Sequence, residues 1–334
     1  MGPLSNFRRR RDERLTSEAT FECRRVERGE IEPALRLLLS DSSHGASDDQ
    51  VLDFLAFALH RRIDVNNLWV AMADGRIAWT LLPVPSPGRT MLLFSPSRIR
   101  RQTPLRAVRE LVQAVASHMR EQQVDLAQLL IDPRDQAIIH AYDACGFEQL
   151  AELVYLQKTV RAGSCMPPLP PGVSLQVYTQ ESHPHFARTI LRSYEGSRDC
   201  PALNGRREIE DIIAGHKSAG EFDPQRWLLL LEHGQPVAVL LLSRSPHSDG
   251  VELVYLGLAP EARGRGIGDL MMQIAFAQVA ADQRMQLSLA VDAQNNPALK
   301  LYYRHGMHRV SSRIAMLRDL RESEPQAVSE AAIG

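Results

Sequence analysis

Val251–Leu270 reads VELVYLGLAPEARGRGIGDL. Val251 to Leu258 is an apolar run of strand length, and Pro260 and Gly264 interrupt it. Gly264, Gly266 and Gly268 follow, interleaved with Arg263 and Arg265. From Asp269 apolar residues recur with helical spacing through Val279. A helix N-terminus presents N–H groups with no partner inside the helix, and it carries a partial positive charge. Glycines let an anion approach those donors, because no Cβ stands in the way. The stretch therefore predicts a diphosphate cradle placed directly after a strand.

Two familiar nucleotide loops do not fit. A Walker loop ends in Gly-Lys-Ser/Thr, and here Ile267-Gly268-Asp269 stands instead. The dinucleotide loop has a different glycine spacing and sits on the first strand of a βαβ unit. The spacing Arg263-x-x-Gly266-x-Gly268 resembles the coenzyme A loop of the GNAT N-acetyltransferase superfamily, Gln/Arg-x-x-Gly-x-Gly/Ala. A second segment, Val291–Met307, reads VDAQNNPALKLYYRHGM and is similar to that family's other signature. Asn295, Ala298, Leu301, Tyr302 and Gly306 fall at its spacing, and Met307 stands where the family has Phe. One helix and one strand separate the two segments, as in the family.

The resemblance implies acetyl-CoA as donor and direct attack by an amine in a ternary complex. It places the coenzyme A diphosphate on Arg263, Gly264, Arg265, Gly266, Ile267 and Gly268. It gives Leu256, Gly257 and Leu258 to pantetheine and to oxyanion stabilisation through backbone N–H groups, and adds Asn295 and Ala298 to the donor site. Tyr302 occupies the general-acid position. A reference phenol near pKa ~10 against a thiol near ~8.5 makes that transfer uphill by roughly 2 kcal/mol, so Tyr302 either donates a proton or hydrogen-bonds the leaving thiolate. The alternative is a core tyrosine packing helix on sheet. Glu252, the one carboxylate on the apolar strand, is the base, acting directly or through a water; the alternative is a rim carboxylate. Simple alternation sets Glu252, Val254 and Leu256 on one face and Leu253, Tyr255 and Gly257 on the other, with Gly257 suited to a bulge. The loop Tyr194–Gly205 is expected to choose the acceptor: Glu195 and Asp199 attract a cationic amine, or Arg198 binds an anionic group, or all three are merely solvated. Cys200 in that loop reads as inert, because the transfer needs no acyl-cysteine. His216, His233 and His305 show no metal spacing, and no metal is expected.

The chain repeats itself. A shift of 160 residues lays Tyr302 on Tyr142, Gly306 on Gly146 and Met307 on Phe147. The first half predicts strand Phe21–Val26, helices Glu32–Leu39 and Asp48–His60, strands Leu68–Ala73, Arg76–Pro83 and Met91–Ser95, helix Leu105–Gln122, strand Leu126–Ile131, helix Asp135–Cys145 and a strand near Val154–Lys158. The second half repeats this order from Leu175 to Leu317, and Asp74-Gly75 and His233-Gly234 supply the matching hairpin turns. The expected fold class is α/β (α+β), two tandem GNAT folds, each a mixed central sheet flanked by helices. The expected domains are a disordered basic tail (1–20), a degenerate copy (21–160), a Pro-rich linker (161–172), a catalytic copy (173–320) and a disordered tail (321–334). The first copy reads as disarmed: Gly264, Gly266 and Gly268 become Pro104, Arg106 and Val108, and Asn295 becomes Asp135. Residual coenzyme A binding through backbone groups stays open for it. The whole arrangement is similar to the mycothiol synthases, tandem GNAT enzymes with an active C-terminal copy and a glutamate four residues before Leu-Gly-Val, as Glu252 precedes Leu256-Gly257-Leu258.

Composition sets the outer bounds. The chain has 334 residues, 44% hydrophobic and 24% charged, the balance of a globular protein. With 39 basic and 40 acidic residues, no overall field favours nucleic acid or an anionic membrane. The four cysteines show no pairing motif, so free thiols and a cytoplasmic setting are expected. The expected partner is a small-molecule amine, such as an amino-sugar or cysteinyl conjugate; the chain is read as monomer or homodimer, with no nucleic acid and no membrane. The rival readings are acetylation of a protein or peptide N-terminus, and a non-catalytic acyl-CoA-binding module.

Overall fold

The computed structural model describes residues 20–40, 45–99, 103–161, 163–245, 250–281 and 286–321. Apart from Thr20 and Arg321, the two expected tails lie outside the described residues. The chain divides into two compact units. One takes residues up to Pro85, Arg89–Gln149 and the chain from Met316 on; the other takes Ser86–Gly88 and Leu150–Ala315.

The first unit contains β1 (Glu22–Arg25), α1 (Ile31–Leu38), α2 (Asp48–His60), β2 (Trp69–Ala73), β3 (Arg76–Ser86), β4 (Thr90–Phe94), α3 (Leu105–Glu121), β5 (Leu126–Ile131) and α4 (Gln136–Asp143). Local chemistry explains the boundaries. Ser47 caps α2: its side chain accepts from the Gln50 N–H and the Gln50 side chain returns the bond to the Ser47 N–H. Asp74 and Gly75 both adopt positive φ, 50° and 71°, the geometry of a two-residue hairpin turn between β2 and β3. Helix α3 buries Val108, Leu111, Val112, Val115 and Met119, an apolar stripe at helical spacing. The strands run in the order β1-β2-β3-β4-β5, with β4 and β5 parallel.

The second unit contains β6 (Glu148–Thr159), β7 (Val173–Val177), α5 (His183–Tyr194), α6 (Ile209–Ser218), β8 (Trp227–Glu232), β9 (Gln235–Arg244), β10 (Gly250–Leu258), α7 (Ile267–Ala281), β11 (Gln286–Asp292), α8 (Asn296–Arg304) and β12 (His308–Asp319). Its order is β12-β6-β11-β10-β9-β8-β7, and β10 pairs parallel to β11. One face of this sheet carries α7, through Met271, Met272, Ile274, Ala275 and Val279 packed on Leu240, Leu242, Leu253 and Leu289. The other carries α5 and α6, through Phe186, Ile190, Ile212 and Ile213 around Trp227. His233 and Gly234, at φ 48° and 78°, repeat the hairpin device of the first unit.

The units do not follow the repeat strand for strand. Strand β6, which the repeat assigns to the first copy, lies in the second unit from Leu150 onward and pairs with β11, Leu156 opposite Leu289 and Tyr155 opposite Ala290. Conversely, Met316–Asp319 of β12 belong to the first unit, where Arg318 Nη2 donates to Gln113 Oε1 at 2.7 Å and the Leu320 N–H donates to the Asp125 carbonyl at 2.7 Å. No helix among the described residues is long and apolar enough to cross a membrane.

Strand β10 breaks its alternation. Leu253 pairs with Leu242 and Tyr255 with Leu241, so Val254 is an extra residue in the ladder. The bulge turns Leu256 and Leu258 to the α7 face, beside Val251 and Leu253, while Val254 and Tyr255 pack against the α5–α6 cluster. Glu252 and Leu256 therefore lie on opposite faces, contrary to the strict alternation expected. The bulge also falls at Val254 and not at Gly257.

Candidate active site

A cleft of about 520 Å³ opens at the C-terminal end of β10 and the N-termini of α7 and α8. Leu256, Leu258, the loop residues Arg263, Gly264, Gly266 and Gly268, and Asn295, Ala298 and Tyr302 of the second motif all line it. Two segments distant in sequence thus converge on one cavity.

The glycine loop has the conformation that an anion cradle needs. Gly264 and Gly266 sit at φ 72° and 80°, the left-handed region that side chains avoid. A Cβ at either would meet nothing within 4 Å, so the space before the loop is open. The first bond of α7 runs from the Leu270 N–H to the Gly266 carbonyl. The N–H groups of Ile267, Gly268 and Asp269 precede it, at the positive end of the helix, where N–H groups have no partner within the helix. Gly268 serves packing as well, since a Cβ there would lie 3.2 Å from Leu301.

The arginines of the loop are braces. Arg263 Nε donates to the Leu258 carbonyl at 3.2 Å and its Nη2 to the Ser193 carbonyl at 2.9 Å, tying the loop to β10 and α5. Arg265 pairs with Glu232 through two bonds of 2.9 Å. Asp269, in the first turn of α7, accepts from Arg304 at 2.7 Å and from His305 at 3.0 Å. Burial works to raise the Asp269 carboxyl, and these two partners outweigh it and hold the group below its usual range. The charged side chains of the loop are thus engaged by the protein itself.

Asn295 starts α8 by capping it, its side-chain oxygen accepting from the Ala298 N–H at 3.3 Å. Seven residues on, Tyr302 is buried at 6% exposure while lining the cleft. Burial, and then the Asp199 carboxylate, push its phenol well above the ordinary value. Gly257 has another task than the expected one: a Cβ there would come within 2.5 Å of Ser193 Oγ and 2.6 Å of the Tyr255 ring, so glycine lets β10 close on α5.

The loop after α5 is divided. Glu195 is exposed, Arg198 lines the cleft, and Asp199 turns inward. Asp199 Oδ1 accepts from the Asp292 N–H at 3.3 Å, and Asp292 Oδ2 accepts from the Cys200 N–H at 3.1 Å. Burial raises the Asp199 carboxyl, and the Asp292 N–H works against it. Asp199 thus latches the loop to β11. Cys200 is pushed up to about 12 by burial and by the two carboxylates, so its thiol stays protonated.

Glu252 is half-buried on the face of α5 and α6. It pairs across the ladder with Ser243 and Ser288, and Ser288 pairs in turn with Gln157. These polar positions form one row across β9, β10, β11 and β6. Tyr155, on the same face, is raised by burial; the Arg313 guanidinium opposes that rise and the Glu252 carboxylate adds to it, so the three side chains share one electrostatic neighbourhood. Further along β10, the Tyr255 hydroxyl and Ser193 Oγ are 2.7 Å apart, and the Tyr255 ring stacks on His216 with centroids 5.3 Å apart. Burial, then Arg207, depress His216 to about 4. Sequence reading gave no site role to Tyr155, Gln157, Arg313, Tyr255 or His216, whose surroundings arise only through strand pairing and helix packing. No cluster of metal-ligating side chains occurs among the described residues.

Residues 192–307 match the acetyltransferase (GNAT) family, so the second unit carries a GNAT acetyltransferase domain. Among curated proteins, the mycothiol acetyltransferase of Gordonia bronchialis is 28% identical over 173 residues, 51% of this chain and 56% of that protein. The mycothiol acetyltransferase of Jonesia denitrificans is 35% identical over 75 residues, 22% of this chain and 24% of that protein. The chain thus spans about half the length, or less, of these relatives. In fold it is similar to a GCN5-related N-acetyltransferase from Sphaerobacter thermophilus, with TM-score 0.58 and 17% identity over 91% of this chain and 97% of that one.

Proposed function

We propose that the second unit transfers the acetyl group of acetyl-CoA to the primary amine of a polar small molecule. The observation that carries this reading is the convergence of the open Gly264–Gly266 loop and the Tyr302 side chain on one cleft. When bound, acetyl-CoA supplies an activated thioester. The N–H groups of Ile267, Gly268 and Asp269 hold its diphosphate, and Leu256 and Leu258 flank its pantetheine arm. Tyr302 keeps its proton across the working pH range, because burial raises its phenol. Full transfer to sulfur is already uphill by roughly 2 kcal/mol from reference values, and burial steepens it, so Tyr302 stabilises the leaving sulfur chiefly by donating a hydrogen bond.

Glu252 takes the amine proton, directly or through a water. The row of Ser243, Glu252, Ser288 and Gln157 gives the acceptor face a hydrogen-bonding floor suited to a polar amine. The mycothiol acetyltransferase names of the relatives support an acceptor of low molecular weight.

The first unit is the non-catalytic copy in this reading. Pro104 precedes α3 without an N–H to offer, Val108 is buried, and the Tyr142 hydroxyl donates to Ser95 Oγ at 2.6 Å. The test is calorimetry of acetyl-CoA with the intact chain, followed by a free-thiol assay over a panel of amines. One binding site, and thiol release that depends on the amine and drops with Glu252→Gln, is the expected result. No binding, or two equivalent sites, refutes this assignment.

A further inference from the structure

Three guanidinium groups line the donor cleft: Arg198, Arg263 and Arg304. Two are engaged by the protein. Arg263 donates to the Leu258 and Ser193 carbonyls, and Arg304 grips Asp269 through both carboxylate oxygens at 2.7 Å. Arg198 forms no hydrogen bond or ion pair with any described residue, although it stands on a pinned stretch of backbone. On one side Ser197 Oγ accepts from the Asp199 N–H at 3.1 Å. On the other, Asp199 and Cys200 are fastened to Asp292. A cation on a fixed base, with no partner among the described residues, faces a cavity whose loop already offers helix N-terminal donors to an anion.

We infer that Arg198 is the counter-ion of the donor's diphosphate. This rests on the proposed acetyl-CoA reading. It moves Arg198 from the acceptor role expected from sequence to the donor side, and it supplies the charge that Arg263 and Arg265, both engaged elsewhere, do not. Because Arg198 and Asp199 are adjacent, a donor gripped by the first holds the second in place near Tyr302, so the acceptor-side loop is fixed by the donor.

Calorimetry on the full chain tests this with coenzyme A, 3′-dephospho-coenzyme A and pantetheine, against wild type, Arg198→Ala and Arg198→Lys. The alanine variant is expected to bind coenzyme A and the dephospho form about tenfold more weakly, with pantetheine unchanged and the lysine variant partly restored. Unchanged coenzyme A affinity in the alanine variant overturns the inference. So does an equal loss for pantetheine, which assigns the effect to cleft shape, or a loss confined to coenzyme A, which assigns it to the 3′-phosphate. Failure of the wild-type chain to bind coenzyme A overturns the donor reading itself and this inference with it.

Discussion

Gly257→Ala should destabilise the second unit through one identifiable collision. The new methyl carbon would stand 2.5 Å from Ser193 Oγ, 2.6 Å from Tyr255 Cε1 and 2.8 Å from Ser193 Cβ. Relaxed contacts between non-bonded carbons are about 3.5–4 Å, so something must move by roughly 1 Å. Ser193 cannot easily retreat. It is 4% exposed, and its hydroxyl bonds the Ile190 carbonyl at 2.6 Å and the Tyr255 hydroxyl at 2.7 Å. Tyr255 is also confined, between His216 at 5.3 Å and Tyr194 at 5.9 Å, centroid to centroid. Forcing a methyl into such a contact costs about 1–3 kcal/mol. For a unit of this size, that lowers the melting temperature by roughly 5 °C. The measurement is a thermal melt of wild type, Gly257→Ala, Ser193→Gly and the double variant. Ser193→Gly removes both clashing atoms of residue 193, so the double variant should be more stable than the sum of the singles by about 1 kcal/mol or more. Strict additivity, or a Gly257→Ala variant melting with wild type, would refute the collision.

Tyr302→Phe should lower turnover by about tenfold or more while leaving the coenzyme A dissociation constant within about twofold, the size of a lost hydrogen bond to charge; unchanged turnover removes the phenol from the chemistry. Gly266→Ala meets no atom within 4 Å but carries a side chain into φ 80°. It should cost only about 1–2 kcal/mol of stability and weaken coenzyme A by about tenfold in calorimetry, and retained affinity argues against the cradle. His216 has its folded value depressed from 6.5 to about 4, so the unfolded chain takes up a proton first as pH falls. Stability is unaffected above pH 6.5 and is lost between 6.5 and about 4, by about 3 kcal/mol at most. Denaturant titration of His216→Phe should show a shallower decline over that window than wild type, and parallel declines would contradict the assignment.

The glycine-loop half of the proposed site has a conformation that was legible, because its demands are local. Positive φ at Gly264 and Gly266 and the cap at Asn295 are demands of single positions that particular residue types meet. Element positions followed for the same reason: Asp48–His60, Leu126–Ile131 and His183–Tyr194 were expected with the boundaries observed. The surroundings of Glu252 were not legible. Val254 carries no mark of being the extra residue in β10, yet it reverses the face of everything after it. Nothing in the sequence announces that Arg263 donates to the Ser193 carbonyl and Arg265 to Glu232, partners distant along the chain. Tyr155 reaches the neighbourhood of Glu252 only because β6 pairs with β11, a choice of partner that no periodicity reveals.

The distribution of strands between the units also orders events during synthesis. The first unit is completed by residues from Met316 onward, and there the Leu320 N–H donates to the Asp125 carbonyl at the start of β5. A ribosome leaves Gln149 behind long before it reaches Met316, and at about 5–20 residues per second the interval is on the order of 10–30 s. Through that time the nascent β5 exposes an unsatisfied edge, the kind of surface that recruits stray strands. The first part of the chain to be made is thus among the last to be finished, and its safe passage depends on how quickly the remainder emerges.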